Sequence, residues 1–198
     1  MNKPKTVLFV NACVRENSRT LALAKRVLSH LDGTVVEYNL ERAGLLPLTR
    51  ETLAKRDALL AAGDRTDPML APALAFAAAD EIVLAAPYWD LSFPASVKLW
   101  LEHVNCVGLS FAYGSDDRPY GLCRAKRLIY VMTAGGPVFP PNEGFAYVET
   151  LCRAFYGIQT VKLFCAEGLD VRGADVDAIL NATRAEIDAW FTAQEANP

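Results

Sequence analysis

Five strand-like apolar runs alternate along this chain with amphipathic, helix-like runs. The strand-like runs are Thr6–Val10, Thr34–Leu40, Glu81–Ala86, Arg127–Met132 and Gln159–Phe164. Three of them are almost continuously apolar, which is typical of strands that are buried on both faces of a parallel sheet. In the second run Glu37 and Asn39 alternate with apolar residues, and this pattern suits a strand at the edge of a sheet.

The helix-like runs carry apolar stripes with the spacing of an α-helix. The stripes are Leu23, Ala24, Val27, Leu28 and Leu31; Val97, Trp100, Leu101 and Val104; Phe145, Val148, Cys152 and Phe155; and Val176, Ile179, Leu180, Thr183, Ile187 and Trp190. Gly33 and Gly157 are predicted to follow the ends of the first and third helices. Ser92 is the predicted N-cap of the second helix, with Pro94 in its first turn.

Alternating strands and helices predict a parallel sheet with right-handed crossovers. We expect residues 1–198 to form one doubly wound α/β domain, with five strands in the order 2-1-3-4-5 and helices on both faces. The segment Thr49–Asp80 is longer than a crossover needs and is predicted to hold two helical pieces, broken at Gly63–Pro68. In this order, ligands bind beyond the carboxyl ends of the first and third strands. The loops after the first, third and fourth strands should therefore carry the chemistry.

Composition and charge argue against several classes of protein. The 20 Lys and Arg against 23 Asp and Glu give a net charge of -3 without a basic run, which argues against a nucleic-acid partner. The apolar stretch Met69–Ala79 contains Pro72 and is too short to span a membrane, and the start lacks the pattern of a signal peptide. Five scattered cysteines and two histidines suggest neither a disulfide framework nor a metal site. We expect a cytoplasmic protein.

The loop Asn11–Thr20 has the features of a phosphate-binding site. It leads from a buried strand into a helix, and the free N–H groups at a helix N-terminus favour an anion by about 0.3–2 kcal/mol. Ser18 and Thr20 add hydroxyl groups, while Arg15 and Arg19 add positive charge. The glycine patterns of dinucleotide-binding folds and P-loops are absent from this loop. Ser18 has the alternative role of simply capping the helix.

The two later loops add an aromatic and a glycine-rich segment. Pro87-Tyr88-Trp89-Asp90-Leu91 places two aromatic residues at the end of a strand, which suits a planar ligand. Packing of these rings on a helix or on another subunit is the alternative. Thr133-Ala134-Gly135-Gly136 permits close approach of the backbone, although it also suits an ordinary turn. A phosphate cradle, an aromatic wall and a glycine loop at neighbouring strand ends describe a site for flavin mononucleotide (FMN).

The motifs also resemble those of the flavodoxin-like FMN-dependent NAD(P)H oxidoreductases, in particular the azoreductase and quinone-reductase branch. Ser18-Arg19-Thr20 resembles the branch's phosphate-binding Ser-x-Ser, and Ala86-Pro87-Tyr88-Trp89-Asp90-Leu91 resembles its Ala-Pro-Met-Tyr-Asn-Phe flavin loop. Thr133-Ala134-Gly135-Gly136 resembles its Ser-Arg-Gly-Gly, and the resemblance covers nearly the whole chain. The departures are Trp89 for Tyr, Asp90 for Asn and Ala134 for Arg. They bear on the flavin potential and the substrate range.

The resemblance implies FMN as the cofactor and a two-step exchange at one site. NADH or NADPH passes a hydride to the flavin and leaves, and a quinone, azo compound or related flat electron acceptor then takes its place. The flavin carries this chemistry, so no acid–base residue is assigned, and Trp89 and Asp90 are the candidates beside it. The resemblance also implies a homodimer in which Tyr113 or Phe155 covers the flavin of the partner subunit. Core packing is the alternative for both residues, and it is favoured for Phe155.

Two other functions fit parts of the sequence. Cys13, five intervening residues and Arg19-Thr20 satisfy the C-x5-R-[ST] signature of cysteine phosphatases, in which a low-pKa thiolate lies at a helix N-terminus. Against this function, Glu16 would repel a phosphate, the loop has no glycine, and Asp67 of the one Asp-Pro pair is predicted to cap a helix rather than to act as a general acid. A non-enzymatic flavodoxin-type electron carrier is the other alternative, but a net charge of -3 is modest for electrostatic docking.

Overall fold

A five-stranded parallel sheet forms the centre of the computed structural model, which describes residues 4–196. The seven strands are β1 (Thr6–Asn11), β2 (Thr34–Asn39), β3 (Glu81–Ala85), β4 (Phe111–Tyr113), β5 (Pro119–Gly121), β6 (Arg127–Thr133) and β7 (Thr160–Ala166). The sheet has the order β2-β1-β3-β6-β7, and β4 and β5 form a separate antiparallel hairpin. Because β6 and β7 are the fourth and fifth strands of the sheet, the predicted order 2-1-3-4-5 is confirmed.

The described residues form six α-helices, and five of them cover the two faces of the sheet, as predicted. The six helices are α1 (Arg19–Leu28), α2 (Arg50–Ala62), α3 (Ala71–Ala78), α4 (Ala95–Val104), α5 (Glu143–Leu151) and α6 (Val176–Ala196). A 3-10 turn, Pro68–Leu70, precedes α3, and a π-helical turn, Cys152–Tyr156, continues α5. The predicted break at Gly63–Pro68 is confirmed, because α2 ends at Ala62 and α3 begins at Ala71. Helices α1 and α6 lie on one face of the sheet, while α3, α4 and α5 lie on the other.

The sheet separates two hydrophobic cores because successive side chains of a strand point to opposite faces. In β1, Leu8 and Val10 pack towards α3, α4 and α5, while Val7 and Phe9 pack towards α1 and α6. The same alternation holds in β3 and β6, so these three strands are buried on both faces. Strand β2 lies at the edge, and its first four residues are exposed. The sequence-based edge prediction for this strand is confirmed.

The predicted start of α4 is wrong. Pro94, rather than Ser92, is the N-cap residue of this helix. The backbone of Ser92 is already paired with that of Trp89, with N–H to O=C distances of 2.8 and 2.9 Å in the two directions. Ser92 therefore belongs to a tight turn, and the helix begins two residues beyond the position that its side chain suggested.

The first helix is shorter than its apolar stripe. Helix α1 ends at Leu28, and the N–H groups of His30 and Leu31 donate to carbonyls three residues back rather than four. Such bonds tighten a last turn and satisfy carbonyl groups at a helix end. Leu31 still packs against the core, which explains why it completes the pattern. At the predicted end of the third helix, Gly157 has a φ of 75° and follows the π-helical turn, as expected for a glycine cap.

The β4–β5 hairpin was not predicted from the sequence. It packs against the π-helical turn, where the Phe111 and Phe155 rings lie 4.9 Å apart. Gly121 touches the same turn so closely that a Cβ atom would overlap the backbone C and O atoms of Tyr156. The hairpin is therefore held by a contact that only glycine allows.

Within the described residues, no helix is long and apolar enough to cross a membrane. In the same part of the chain, no group of three or more His, Cys, Asp and Glu residues is arranged to hold a metal ion. All five cysteines are free thiols.

Candidate functional site

A cavity of about 290 Å³ lies at the carboxyl ends of β1, β3 and β6. Its walls are residues 13–15, 17–20, 87–89, 133–135 and 169–170. The three predicted loops therefore meet at the switch point of the sheet, and a fourth loop, which follows β7, joins them. Asp90, Leu91 and Gly136 belong to the predicted segments but lie outside this wall. Every other residue of the predicted cofactor site lines the cavity.

The N-terminus of α1 forms one end of the cavity. Ser18 is the N-cap residue, and its Oγ accepts a hydrogen bond of 3.2 Å from the N–H of Leu21, so the capping role is confirmed. The Ser18 hydroxyl has one proton, which it can donate to the neighbouring Cys13 sulfur or to a bound group. The N–H groups of Arg19 and Thr20 lie in the first turn, where helix geometry supplies no acceptor. Their free donors suit an anion.

A buried hydroxyl pair joins the first loop to the loop after β6. The Oγ1 atoms of Thr20 and Thr133 lie 2.6 Å apart, and both residues are buried. One hydroxyl donates to the other, which leaves one proton of the pair for a further acceptor. Tyr88 adds a second connection, since its N–H donates to the carbonyl of Thr133 at 2.9 Å. The three loops are thus fixed relative to one another.

Leu169 and Asp170, in the fourth loop of the cavity wall, were not predicted from the sequence. Arg19 Nη1 donates to Asp170 Oδ1 at 2.9 Å and to the carbonyl of Leu169 at 3.5 Å. Asp170 also donates its N–H to the carbonyl of Gly135 at 2.8 Å. The signal that could have found them is position, because the loop after β7 lies at the same edge of the sheet as the loop after β6.

Tyr88 and Trp89 form the aromatic part of the wall. Tyr88 is half-buried and packs partly against the core, while Trp89 remains 39% exposed. Core packing, the alternative for these rings, therefore applies in part to Tyr88. Trp89 presents an apolar surface at the edge of the cavity, where a flat ligand would cover it.

A strained turn follows Trp89. Asp90 and Leu91 have φ values of 50° and 67°, and they connect the paired backbones of Trp89 and Ser92. Two-residue turns with positive φ at both positions normally use Asn-Gly or Asp-Gly. A residue with a side chain costs about 1–3 kcal/mol in such a conformation, so Leu91 is held there by its surroundings. Asp90 and Leu91 are both exposed, and neither lines the cavity.

Cys13 has the wrong environment for a phosphatase nucleophile. Its side chain is 7% exposed, and its Sγ lies 3.8 Å from the carbonyl of Ala85. Burial raises the pKa of the Cys13 thiol, although hydrogen bonds from Ser18 and from the N–H of Leu21 lower it in part. A thiol that stays protonated at neutral pH is a weak nucleophile. The carboxylate of Asp67 caps the 3-10 turn through the N–H of Met69, as predicted.

The two residues expected to act across a dimer lie away from this cavity. Tyr113, on the β4–β5 hairpin, is 53% exposed, and its ring lies 5.6 Å from that of Phe111. Phe155 is half-buried and packs on the other side of the same Phe111 ring. Core packing therefore describes Phe155 within this chain, while most of Tyr113 faces outwards.

A doubly wound parallel sheet of this order, with a cavity at its switch point, defines the flavodoxin-like class of fold. Residues 5–191 match the family of proteins with that fold, and the chain belongs to this family. Its resemblance to the branch that contains the FMN-dependent quinone reductases is confirmed by the relatives that it matches.

The relatives match almost from end to end. The FMN-dependent NADH:quinone oxidoreductase 2 of Clostridium acetobutylicum is 32% identical, over 89% of this chain and 93% of its own length. The FMN-dependent NADH:quinone oxidoreductase of Coprothermobacter proteolyticus is 29% identical, over 86% and 90%. The structure of an FMN-dependent NADH-azoreductase from Bacillus anthracis in complex with FMN superposes with a TM-score of 0.79 at 17% identity, covering 96% of this chain and 99% of that one. This structural likeness confirms the fold.

Proposed function

We propose that this protein is an FMN-dependent oxidoreductase that transfers electrons from NADH or NADPH to quinones, azo compounds or related flat acceptors. The observation that carries the proposal is the switch-point cavity, in which free helix N–H donors and an aromatic wall face one space. Two relatives named FMN-dependent NADH:quinone oxidoreductase, matched over most of their length, support it. In this proposal residues 1–198 act as one FMN-binding domain.

The donors and rings of the cavity fit the two ends of FMN. The start of α1 would hold the phosphate, through the N–H groups of Arg19 and Thr20 and the hydroxyls of Ser18 and Thr20. The first turn of this helix, which lies within the described residues, supplies these donors and contains no acidic side chain. Of the predicted segments Pro87–Leu91 and Thr133–Gly136, the residues that line the cavity, 87–89 and 133–135, would hold the flavin ring. When bound, FMN supplies the hydride and electron transfer.

The residues of the wall set the environment of that ring. Tyr88 and Trp89 provide apolar surface that excludes water from one side of a flat ligand. Asp90 is exposed and is not among the residues that line the cavity. Ala134 occupies the position of the branch's arginine and brings no positive charge to the loop after β6. These residues position the reactants, and none of them transfers a proton.

One open cavity favours a ping-pong mechanism. In this proposal both reactants use the same space beside Trp89, so the nicotinamide leaves before the acceptor enters. We expect wild-type protein with FMN to oxidise NADH or NADPH with a quinone, and double-reciprocal plots at several quinone concentrations to be parallel. Intersecting lines would contradict the exchange at one site.

Replacing Cys13 by serine separates this function from the phosphatase alternative. Cys13→Ser retains nearly the same volume at a buried position, so NAD(P)H-dependent quinone reduction should fall by no more than a few-fold, which is under about 1.4 kcal/mol in transition-state free energy. Neither protein should hydrolyse an aryl phosphate, because the buried thiol is protonated. Aryl phosphate hydrolysis that disappears in Cys13→Ser, without NAD(P)H oxidation in either protein, would establish the phosphatase instead.

A homodimer completes the proposed site, since the wall leaves one face of the cavity open. Tyr113 and Tyr120 on the β4–β5 hairpin, with Phe139 after β6, are large apolar side chains that are more than half exposed. Such side chains are typical of a surface that another subunit covers. We expect sedimentation to show a dimer at the concentration of the activity assay. An active monomer would exclude this assembly.

The proposed working environment is the cytoplasm, and the proposed partners are small electron acceptors and a second copy of the chain. The five free thiols suit a reducing compartment. The net charge of -3 gives no electrostatic reason to expect a nucleic-acid partner.

A further inference from the structure

The first loop contributes two arginines to the cavity, and their surroundings differ. Arg15 and Arg19 both line the wall, but only Arg19 forms an ion pair, with Asp170. Arg15 is exposed, and among the described residues no carboxylate lies within ion-pair distance of it. The sequence presents the two side chains as equivalent phosphate ligands, whereas the structure separates them.

Arg19 connects two elements that are far apart in the sequence. It belongs to the first turn of α1, and its Nη1 donates to Asp170 Oδ1 and to the carbonyl of Leu169. The same two residues are joined to the loop after β6, because Leu169 donates its N–H to Ala134 and Asp170 donates its N–H to Gly135. The wall segment 169–170 is therefore fastened on one side by Arg19 and on the other by backbone hydrogen bonds.

Gly135 allows the Asp170 carboxylate to take this position. A Cβ atom on residue 135 would overlap Asp170 Oδ2, so the carboxylate occupies space that a side chain at this position would fill. The carboxylate lies against the backbone of the β6 loop and receives Arg19 from the other side. Its charge offsets that of Arg19, which leaves Arg15 as the cavity-lining cation without an ion-pair partner in the described chain.

We propose that the two arginines have different tasks in flavin binding, an inference that rests on the proposed FMN function. Arg19 is a positioning residue, because its contacts with Asp170 and Leu169 hold the loop after β7 in the cavity wall. This contact affects the binding of FMN and of riboflavin equally. Arg15 supplies the cation that recognises the phosphate, and so it sets the preference for FMN over riboflavin, which is the same molecule without the phosphate.

Titration of both flavins into the same proteins tests this division, with tryptophan or flavin fluorescence as the signal. Arg15→Ala should raise the Kd for FMN about tenfold, since it removes a hydrogen bond to a charged group, and should leave the Kd for riboflavin unchanged. The double variant Arg19→Ala, Asp170→Ala removes the contact without changing the net charge of the wall, so it should raise both Kd values by the same factor, about threefold, because it loosens a wall held by an exposed ion pair. The ratio of the two Kd values is the quantity that separates the two tasks.

Two further variants test the connection through Asp170. Asp170→Ala and Arg19→Ala remove the same contact, so each should raise the Kd for riboflavin about threefold. Each also leaves one unpaired charge in the wall, so the ratio of the two Kd values should shift towards FMN in Asp170→Ala and against FMN in Arg19→Ala. Arg19→Lys should restore the wild-type Kd values, since Arg19 uses a single nitrogen for this contact and an ammonium group can replace it. If the loss of Arg19 acted only by disordering the start of α1, Lys at this position would not restore flavin binding.

Each outcome has a separate meaning. If wild-type protein binds neither flavin, the proposed function fails, and the inference fails with it. If wild-type protein binds FMN but the double variant Arg19→Ala, Asp170→Ala weakens FMN alone, Arg19 contacts the phosphate and only the inference is wrong. Should the double variant fail to fold by circular dichroism, the isosteric Asp170→Asn decides: weaker riboflavin binding supports the proposal, and unchanged riboflavin binding contradicts it.

Discussion

Replacing Ser18 and Thr20 together by alanine is expected to weaken FMN binding by at least about a hundredfold. A hydrogen bond to a charged group contributes about 1.5–3 kcal/mol, and the double variant removes two hydroxyls from the proposed phosphate cradle. It also removes the N-cap of α1 and the buried contact between Thr20 and Thr133. The free N–H groups of the helix remain, so some affinity for the phosphate should persist.

Fluorescence titration of FMN measures this effect, and Thr49→Ala provides the matched control. Thr49 is the N-cap of α2, where its Oγ1 accepts from the N–H of Thr52, at a position outside the cavity wall. The control loses a capping hydroxyl at a cost of about 1 kcal/mol in stability, but it should bind FMN normally. An unchanged FMN affinity in the Ser18→Ala, Thr20→Ala protein would disprove the assignment of the phosphate to this loop.

Gly121→Ala is expected to lower the free energy of unfolding by about 3 kcal/mol, the upper end of the range for overpacked sites. The new Cβ would overlap backbone atoms of Tyr156 and Gly157, which cannot rotate away as a side chain can. Relief requires the β4–β5 hairpin to move off the π-helical turn. Because the hairpin carries Tyr113, the proposed dimer should be weakened as well.

Urea denaturation measures the change as a lower midpoint with an unchanged slope. Gly114→Ala, in the same hairpin, is the matched control. There the nearest neighbour of a Cβ would be Asp116 Oδ1 at 2.8 Å, the end of a flexible side chain whose contacts with Arg118 are exposed to solvent, so the change should stay within about 0.5 kcal/mol. Equal stability of the two glycine variants would show that the hairpin is not held by the contact at Gly121.

The main sheet could be predicted because its strands have one dominant physical requirement. β1, β3 and β6 are buried on both faces, so they are continuously apolar, and their order follows from the handedness of the crossovers. The β4–β5 hairpin has strands of three residues each, too short to show any alternation. Its position depends on packing against residues 152–157, which are distant in the sequence.

The turn after Trp89 escaped prediction for a different reason. Positive φ values are expected at glycine, yet here they occur at Asp90 and Leu91. Ser92 is a favourable helix-capping residue, but its backbone is held by Trp89. In both cases a contact made by the folded chain outweighs the local preference of the residue.

The cavity was predicted in outline because the carboxyl ends of parallel strands converge on one edge of the sheet. Ser18, Thr20 and Thr133 face it, as their positions after strands indicated. Asp170 carries no local signal, since a single aspartate in a loop is common. Its importance comes from Arg19 and from the missing side chain of Gly135, and both relations exist only in three dimensions.

The cavity wall extends from residue 13 to residue 170, so a growing polypeptide cannot retain the cofactor until β7 has docked beside β6. A ligand that binds only the finished fold stabilises it, by about 2.7 kcal/mol when its concentration is a hundred times the Kd. If the ligand is FMN, as proposed, the supply of riboflavin therefore affects how much of this protein stays folded. In a cell short of riboflavin, a larger share of newly made chains would stay open to proteases, and the amount of this protein would follow the flavin pool.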